Sequence, residues 1–161
     1  MPDQPQLVSD DHAATGQSDG AAAHLAKRDR RPADTIWRAN PREQGLIGVT
    51  DAIGWFGRRG WSLSVPLIDS QPYDLVVDDG ERLHRVQVKT TTYRTRYGVY
   101  VVSLATRGGN QSFHTSKPFD HAAVDLLYVL AEGRSRYLIP SGAFRSRTTL
   151  NLGTSMAAYQ L

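Results

Sequence analysis

"PYDLVVDDGERLHRVQVKT" (residues 72–90) decides how this chain is read. Two apolar runs flank Asp79-Gly80, and an Asp-Gly pair in that setting signals a β-hairpin closed by a two-residue type I′ turn. Pairing Asp78 with Glu81 across that turn sets Asp74 opposite Arg85. Strand side chains alternate between faces, and directly opposed residues project to the same face. Asp74 and Val76 therefore share a face with Leu83, Arg85, Gln87 and Lys89. Leu75, Val77, Val86 and Val88 take the other face and are expected in the core, with His84 as a packing residue beside them. A slip of one residue would break the convergence of Asp74, Gln87 and Lys89.

These three residues carry a specific chemistry. A carboxylate at the start of a strand can hold Mg²⁺, which prefers oxygen donors and keeps several waters. The amide oxygen of Gln87 can supply a weaker second ligand and the carbonyl of Val88 a third. A lysine beside them can neutralise charge developing on a phosphate or accept a proton from the attacking water. Arg cannot replace it in the second role, because it does not readily lose its proton. Only Lys27, Lys89 and Lys117 are lysines among the 19 basic residues, so each is singled out in a chain otherwise served by arginine.

Outward from the hairpin, "QGLIGVTDAIGWFGRRG" (44–60) places Leu46, Val49, Ile53 and Phe56 at helical spacing. Asn40-Pro41 suits its entry and Gly60 its end. Glycines 48, 54 and 57 weaken this helix and allow another backbone to come close. Trp55 and Trp61 are expected to pack at its end. "WSLSVPL" (61–67), "GVYVVSL" (98–104), "AVDLLYVL" (123–130), "RYLIP" (136–140) and "TTLNL" (148–152) read as further strands. The runs 123–130 and 136–140 are expected to form a second hairpin over Glu132-Gly133. A short helical turn is expected over Ser116 to Ala122. The fold class is α+β, a helix followed by mostly antiparallel strands in a mixed sheet.

The 161 residues are 40% hydrophobic and 22% charged, which suits one domain and a tail. Residues 1–35 hold few branched or aromatic groups and cannot offset their ordering entropy, so an unstructured tail is expected over 1–38 and one domain over 39–161. No cysteine is present, which excludes disulfides and thiolate metal sites. No long apolar stretch suggests a membrane span, and no basic-then-apolar N-terminus suggests secretion, so a cytoplasmic protein is expected. Residues 45–161 hold thirteen basic against nine acidic groups, while 1–44 hold six against seven. The folded part is the basic part, which leans towards a polyanionic partner.

The Asp of "PYDLVV" and the Gln87-Val88-Lys89 of "RVQVKT" resemble the signature of the PD-(D/E)xK nuclease superfamily, an Asp on one strand and an acidic-x-Lys on the next. The likeness is to the branch associated with group I intron homing endonucleases, in which Gln replaces the acidic residue. It runs from about Gly45 to Leu152 and includes the helix with its closing Arg59-Gly60, "YDLVVDDG", "VDLLYVL" and "RYLIP". It implies a restriction-endonuclease-like core with the N-terminal helix packed on a central mixed sheet. It further implies a Mg²⁺-dependent endonuclease, with Mn²⁺ able to substitute, acting on double-stranded DNA. Homing-type relatives tend to act as oligomers, so a homo-oligomer is compatible with it. Asp74, Gln87 and Lys89 become the catalytic residues, and Asp74, Gln87 and the Val88 carbonyl the metal ligands. Family members often carry a helix Glu as well. Aligning Gly45 and Gly60 puts Val49 in that place, with Asp51 about 200° round the helix. Glu43 and Asp69 are the remaining carboxylates near enough in sequence to contribute.

DNA contacts would come from basic and polar groups near this site. Arg94 and Arg96 interleave with Tyr93 and Tyr97 directly after the lysine, a pattern suited to phosphates and base stacking. Arg58 and Arg59 close the helix, where complementing its dipole is the stronger expectation. Lys117 is a further candidate, with Arg107, Arg145 and Arg147. "RGGNQSFHTSKP" (107–118) reads as a polar loop. Asp125 is expected to cap a turn or pair with an arginine, and His114 and His121 are too isolated for zinc. No G-x-S-x-G elbow supports a serine hydrolase. Two alternatives stay open: a nuclease fold that binds nucleic acid without cutting, and an interaction domain whose polar hairpin face is merely solvated.

Overall fold

Asn40 starts the ordered helix by capping it. Its side-chain oxygen accepts from the backbone N–H groups of Arg42 and Glu43 at 3.1 and 3.0 Å, and Pro41 fills the first position, where a missing N–H costs nothing. Helix α1 runs Pro41–Gly57, and Gly60, at a φ of 77°, turns the chain away. This computed structural model describes residues 40–68, 70–107 and 116–161. The tail expected over 1–38, Asp69, His114 and the centre of the 107–118 stretch lie outside them.

The buried face of α1 is only in part the expected one. Gly48, Ala52, Trp55 and Phe56 are buried, and Val49 packs partly against the same cluster, while Leu46 and Ile53 are exposed. The reason is close approach. A Cβ added at Gly48 would sit 2.6 Å from Thr90 Cγ2 and 3.3 Å from Val88 Cγ1. The helix thus comes close to the sheet at Gly48, which rotates the buried face so that Val49 and Phe56 stay on it with Ala52 and Trp55 while Leu46 and Ile53 turn outward.

Among the described residues nine strands follow: β1 Ser62–Ser64, β2 Leu75–Asp78, β3 Leu83–Thr91, β4 Tyr100–Ser103, β5 Thr106–Arg107, β6 Ser116–Lys117, β7 Leu126–Ala131, β8 Arg136–Pro140 and β9 Thr149–Leu152. The main sheet has the order β1-β2-β3-β7-β8. It is mixed, as expected: β3 and β7 are parallel and the other neighbours antiparallel. A parallel pair needs a long crossover, and residues between β3 and β7 supply it through β4, β5 and β6. Strands β4 and β9 pair with each other, not with the main sheet, and β5 pairs with β6. The short helical turn expected over Ser116 to Ala122 is absent; β6 starts that segment and a turn follows at 121–123. A 3-10 helix at Thr154–Tyr159 closes the chain.

Two cores sandwich the main sheet. On one side Ala52, Trp55 and Phe56 of α1 meet Leu75, Val77, Val86, Val88, Tyr128 and Leu130. On the other, Leu127, Val129 and Ile139 meet Tyr100, Val102, Leu150 and Leu152 of the β4–β9 pair. The face carrying Gln87 and Lys89 is therefore roofed by a second layer of strands. No described helix is long and apolar enough to cross a membrane.

The hairpin connection is longer than two residues. Asp78 pairs with Leu83, not Glu81, leaving Asp79 to Arg82 in the loop. Asp79 Oδ1 accepts from the N–H groups of Glu81 and Arg82, both at 2.9 Å, and Asp79 Oδ2 meets His84 Nε2 at 2.7 Å. Asp78 Oδ1 takes the N–H of Gly80, which lies at a φ of 94°. Local side-chain bonds of this kind compete with the backbone turn and widen it. The register moves by two residues, so face parity survives while Arg85 opposes Val76 and the ladder ends at Leu75 with Val86.

Candidate active site

Asp74 sits where β2 begins, just outside its ladder. Its N–H donates to the Val86 carbonyl at 2.9 Å, and its Oδ2 accepts the N–H of Val88 at 2.6 Å. The carboxylate thus takes a place on β3 that a longer β2 would fill with backbone. Within a strand the N–H and C=O of one residue project to the same edge, so the Val88 carbonyl lies on the Asp74 side.

Gln87 and Lys89 follow on the face that parity assigns. Gln87 is 7% exposed, and its Oε1 is buried with no hydrogen-bond partner among the described residues. Its Nε2 donates to Thr106 Oγ1 at 3.4 Å, and Lys89 Nζ donates to the same oxygen at 3.2 Å. Burial holds the Lys89 ammonium below the ordinary lysine value, and the Asp74 charge opposes that shift. Both effects have one cause: β4, β9 and β5 cover a face that the hairpin alone would leave in water.

Neighbouring charges are engaged elsewhere. Arg85 Nε and Nη2 donate to Asp125 Oδ2 and Oδ1, each at 3.0 Å, and the Arg85 N–H reaches Asp125 Oδ2 at 2.8 Å. Asp125 thus pairs with an arginine, as its sequence setting suggests. Asp51 binds Arg136 through two bonds of 2.8 and 2.7 Å and accepts the Tyr128 hydroxyl at 2.6 Å. That cluster joins α1 to β7 and β8 on the opposite side of the sheet from Lys89. Val49 packs in the apolar layer there, and Glu43 lies exposed in the first turn of α1. Among the described residues no three His, Cys, Asp or Glu side chains gather to hold a metal. The oxygen donors at hand are Asp74, Gln87 Oε1 and the Val88 carbonyl, a hard set that suits Mg²⁺ or Mn²⁺.

The candidate nucleic-acid contacts divide into two groups. Tyr93, Arg96 and Tyr97 lie on the surface beyond the end of β3, with the Arg96 guanidinium 4.7 Å over the Tyr97 ring. Lys117 is exposed on β6. Arg94 instead stacks on Tyr100 at 4.2 Å, bonds its hydroxyl and approaches Glu132 at 4.0 Å. Arg59 lies 3.6 Å over the Trp55 ring, and Arg58 forms the helix C-cap. Thr106 escaped the sequence reading. It lies beyond the end of the β4 run and carries no motif, so only its contacts reveal it.

Comparisons with known proteins extend this geometry. Residues 39–158 match the family described as PD-(D/E)XK endonuclease. Among solved structures the chain is similar to a bacterial homing endonuclease, I-Ssp6803I, with a TM-score of 0.63 and 24% identity over 76% of this chain and 89% of that one. Comparison with curated proteins returns no match.

Proposed function

Because this chain belongs to the PD-(D/E)XK endonuclease family, we propose that it is a divalent-metal-dependent endonuclease hydrolysing phosphodiester bonds of double-stranded DNA. The observation that carries the proposal is the Asp74 carboxylate bonded to the Val88 N–H, between Gln87 and Lys89 in the chain, with a buried Gln87 Oε1 that has no protein partner among the described residues. A buried acceptor of this kind calls for an occupant. Asp74, Gln87 and the Val88 carbonyl would hold Mg²⁺, or Mn²⁺ in its place. When bound, the ion would polarise a phosphoryl oxygen and ease the loss of a proton from water.

The protein's own groups do the rest. Asp74 supplies the full negative charge of the site, and its bond to the Val88 N–H fixes where that charge stands. Gln87 adds a neutral oxygen and keeps the buried charge low. Lys89 presents Nζ beside them, and its partial burial favours the neutral amine that can accept a proton from water. As an ammonium it would instead offset charge on the departing oxygen. Tyr93, Arg96, Tyr97 and Lys117, exposed on the surface, would meet the DNA backbone.

A second reading, binding without cutting, is favoured by one observation. Val49 packs in the apolar layer where related enzymes often have a helix carboxylate, so Asp74 is the one acidic group contributed by the motif. Supercoiled and oligonucleotide DNA incubated with Mg²⁺, Mn²⁺ or EDTA separate the two. Nicking in metal, none in EDTA and none for Asp74→Ala or Lys89→Ala supports the nuclease. Cleavage that survives either substitution sinks the mechanism, and binding without cleavage in both metals selects the second reading.

A further inference from the structure

Thr106 Oγ1 is the point at which two side chains of the site meet. Gln87 Nε2 donates to it at 3.4 Å and Lys89 Nζ at 3.2 Å. A hydroxyl oxygen has two lone pairs, and these two donors use both. Thr106 opens β5, which pairs with β6 and belongs neither to the main sheet nor to the β4–β9 pair. The two β3 side chains are thus anchored from outside their own sheet. A glutamine amide is nearly symmetric in shape, so its orientation is set by its hydrogen bonds. Here the nitrogen end is held by Thr106, and the oxygen end is left buried without a partner among the described residues.

We propose that Thr106 is a positioning residue: its hydroxyl holds the amide nitrogen of Gln87, so that Oε1 faces the cation site, and holds Lys89 Nζ beside it. The inference rests on the nuclease reading above. Its logic is that of the groups around a metal centre which bind no metal but orient those that do. β5 thereby couples the placement of the β5–β6 pair to the geometry of the proposed site.

The test compares the full chain with Thr106→Val, which keeps the shape and loses the hydroxyl, and Thr106→Ser, which keeps the hydroxyl. Calorimetric titration with Mn²⁺ should show binding weakened about 10- to 100-fold in Thr106→Val. Plasmid nicking should fall in kcat with the KM for DNA little changed, and Thr106→Ser should recover both. Thr106→Ala provides a second comparison should the valine variant melt early. Wild-type protein that binds Mn²⁺ and nicks DNA, with Thr106→Val matching it in affinity and rate, overturns the positioning role and leaves the nuclease reading standing. A loss in Thr106→Val that Thr106→Ser fails to recover also overturns it, because packing would then be the cause. Wild-type protein that neither binds Mn²⁺ nor nicks DNA removes both ideas.

Discussion

The Asp74 carboxylate accepts the Val88 backbone N–H at 2.6 Å, just past the last paired position of the β2–β3 ladder, Leu75 with Val86. One side chain thereby closes a strand edge and presents the charge of the candidate site. Structure and chemistry are separable at this residue, because an amide oxygen can accept the same hydrogen bond without the charge.

Asp74→Asn should therefore melt close to the wild type, while Asp74→Ala should lose about 1–2 kcal/mol as the Val88 N–H gives up its partner. Both should lose metal-dependent DNA cleavage. Urea unfolding of the two variants gives the comparison, and equal stability would show that the Asp74–Val88 bond contributes nothing.

Lys89 carries a cost that function would explain. Its ammonium is partly stripped of water, so the charged form is less favourable in the folded chain than in the unfolded one. Lys89→Met removes that cost and should melt at or above the wild-type temperature while abolishing cleavage. Lys89→Arg should not restore cleavage, since Arg keeps its proton. A marked fall in the melting temperature of Lys89→Met would contradict this account.

At Gly48 two effects oppose each other. Alanine is the better helix former by about 1 kcal/mol, but its Cβ would lie 2.6 Å from Thr90 Cγ2. Overpacking of this kind costs about 1–3 kcal/mol, so Gly48→Ala should destabilise the fold despite its helix propensity. Chemical denaturation decides the sign. Gly45, with nothing near its Cβ position, is the control, and Gly45→Ala should be neutral or stabilising.

Acid should unfold the domain through three carboxylates. The His84 bond, with two backbone amides, holds Asp79 well below its ordinary value, and Arg85 lowers Asp125. For Asp51 burial pushes upward but is outweighed by Arg136 and Tyr128. Each group titrates lower in the folded chain than its value of 3.8 in isolation. The unfolded chain thus takes up protons first, and the stability these groups supply is complete above about pH 4 and falls as pH drops through the folded values. Urea midpoints at pH 7, 5, 4 and 3 should change little at first and then decline. Asp51→Asn and Asp125→Asn should each flatten the decline, and a slope identical to wild type in both would refute the assignment.

Much of the site was legible because alternation along a strand is insensitive to even errors. The two-residue turn expected at Asp79-Gly80 gives way to a longer loop, yet the true register differs by two and keeps the alternation that sets Leu75 and Val77 with Val86 and Val88, and Gln87 with Lys89 on the other face. Asp79 caused the error, since its hydrogen bonds to Glu81, Arg82 and His84 depend on a wider loop. The helix face was misread for the opposite reason. Hydropathy weights Leu46 and Ile53, whereas close packing at Gly48 and Ala52 turned those two outward.

By itself the sequence determined the helix start at Asn40-Pro41, the succession of strands, the mixed α+β class and the shared face of Gln87 and Lys89. Each follows from local rules: capping, periodicity of two, and the parity of a hairpin. Only the tertiary structure decided that β4 and β9 fold over that face, that Gln87 is buried with an oxygen unpartnered among the described residues, and that Lys89 loses part of its hydration. Those properties arise between segments far apart in the chain, as when Thr106 meets Gln87 and Lys89 across 19 and 17 residues. No local pattern encodes such a meeting; it follows from which layers the apolar faces of the whole domain must bury.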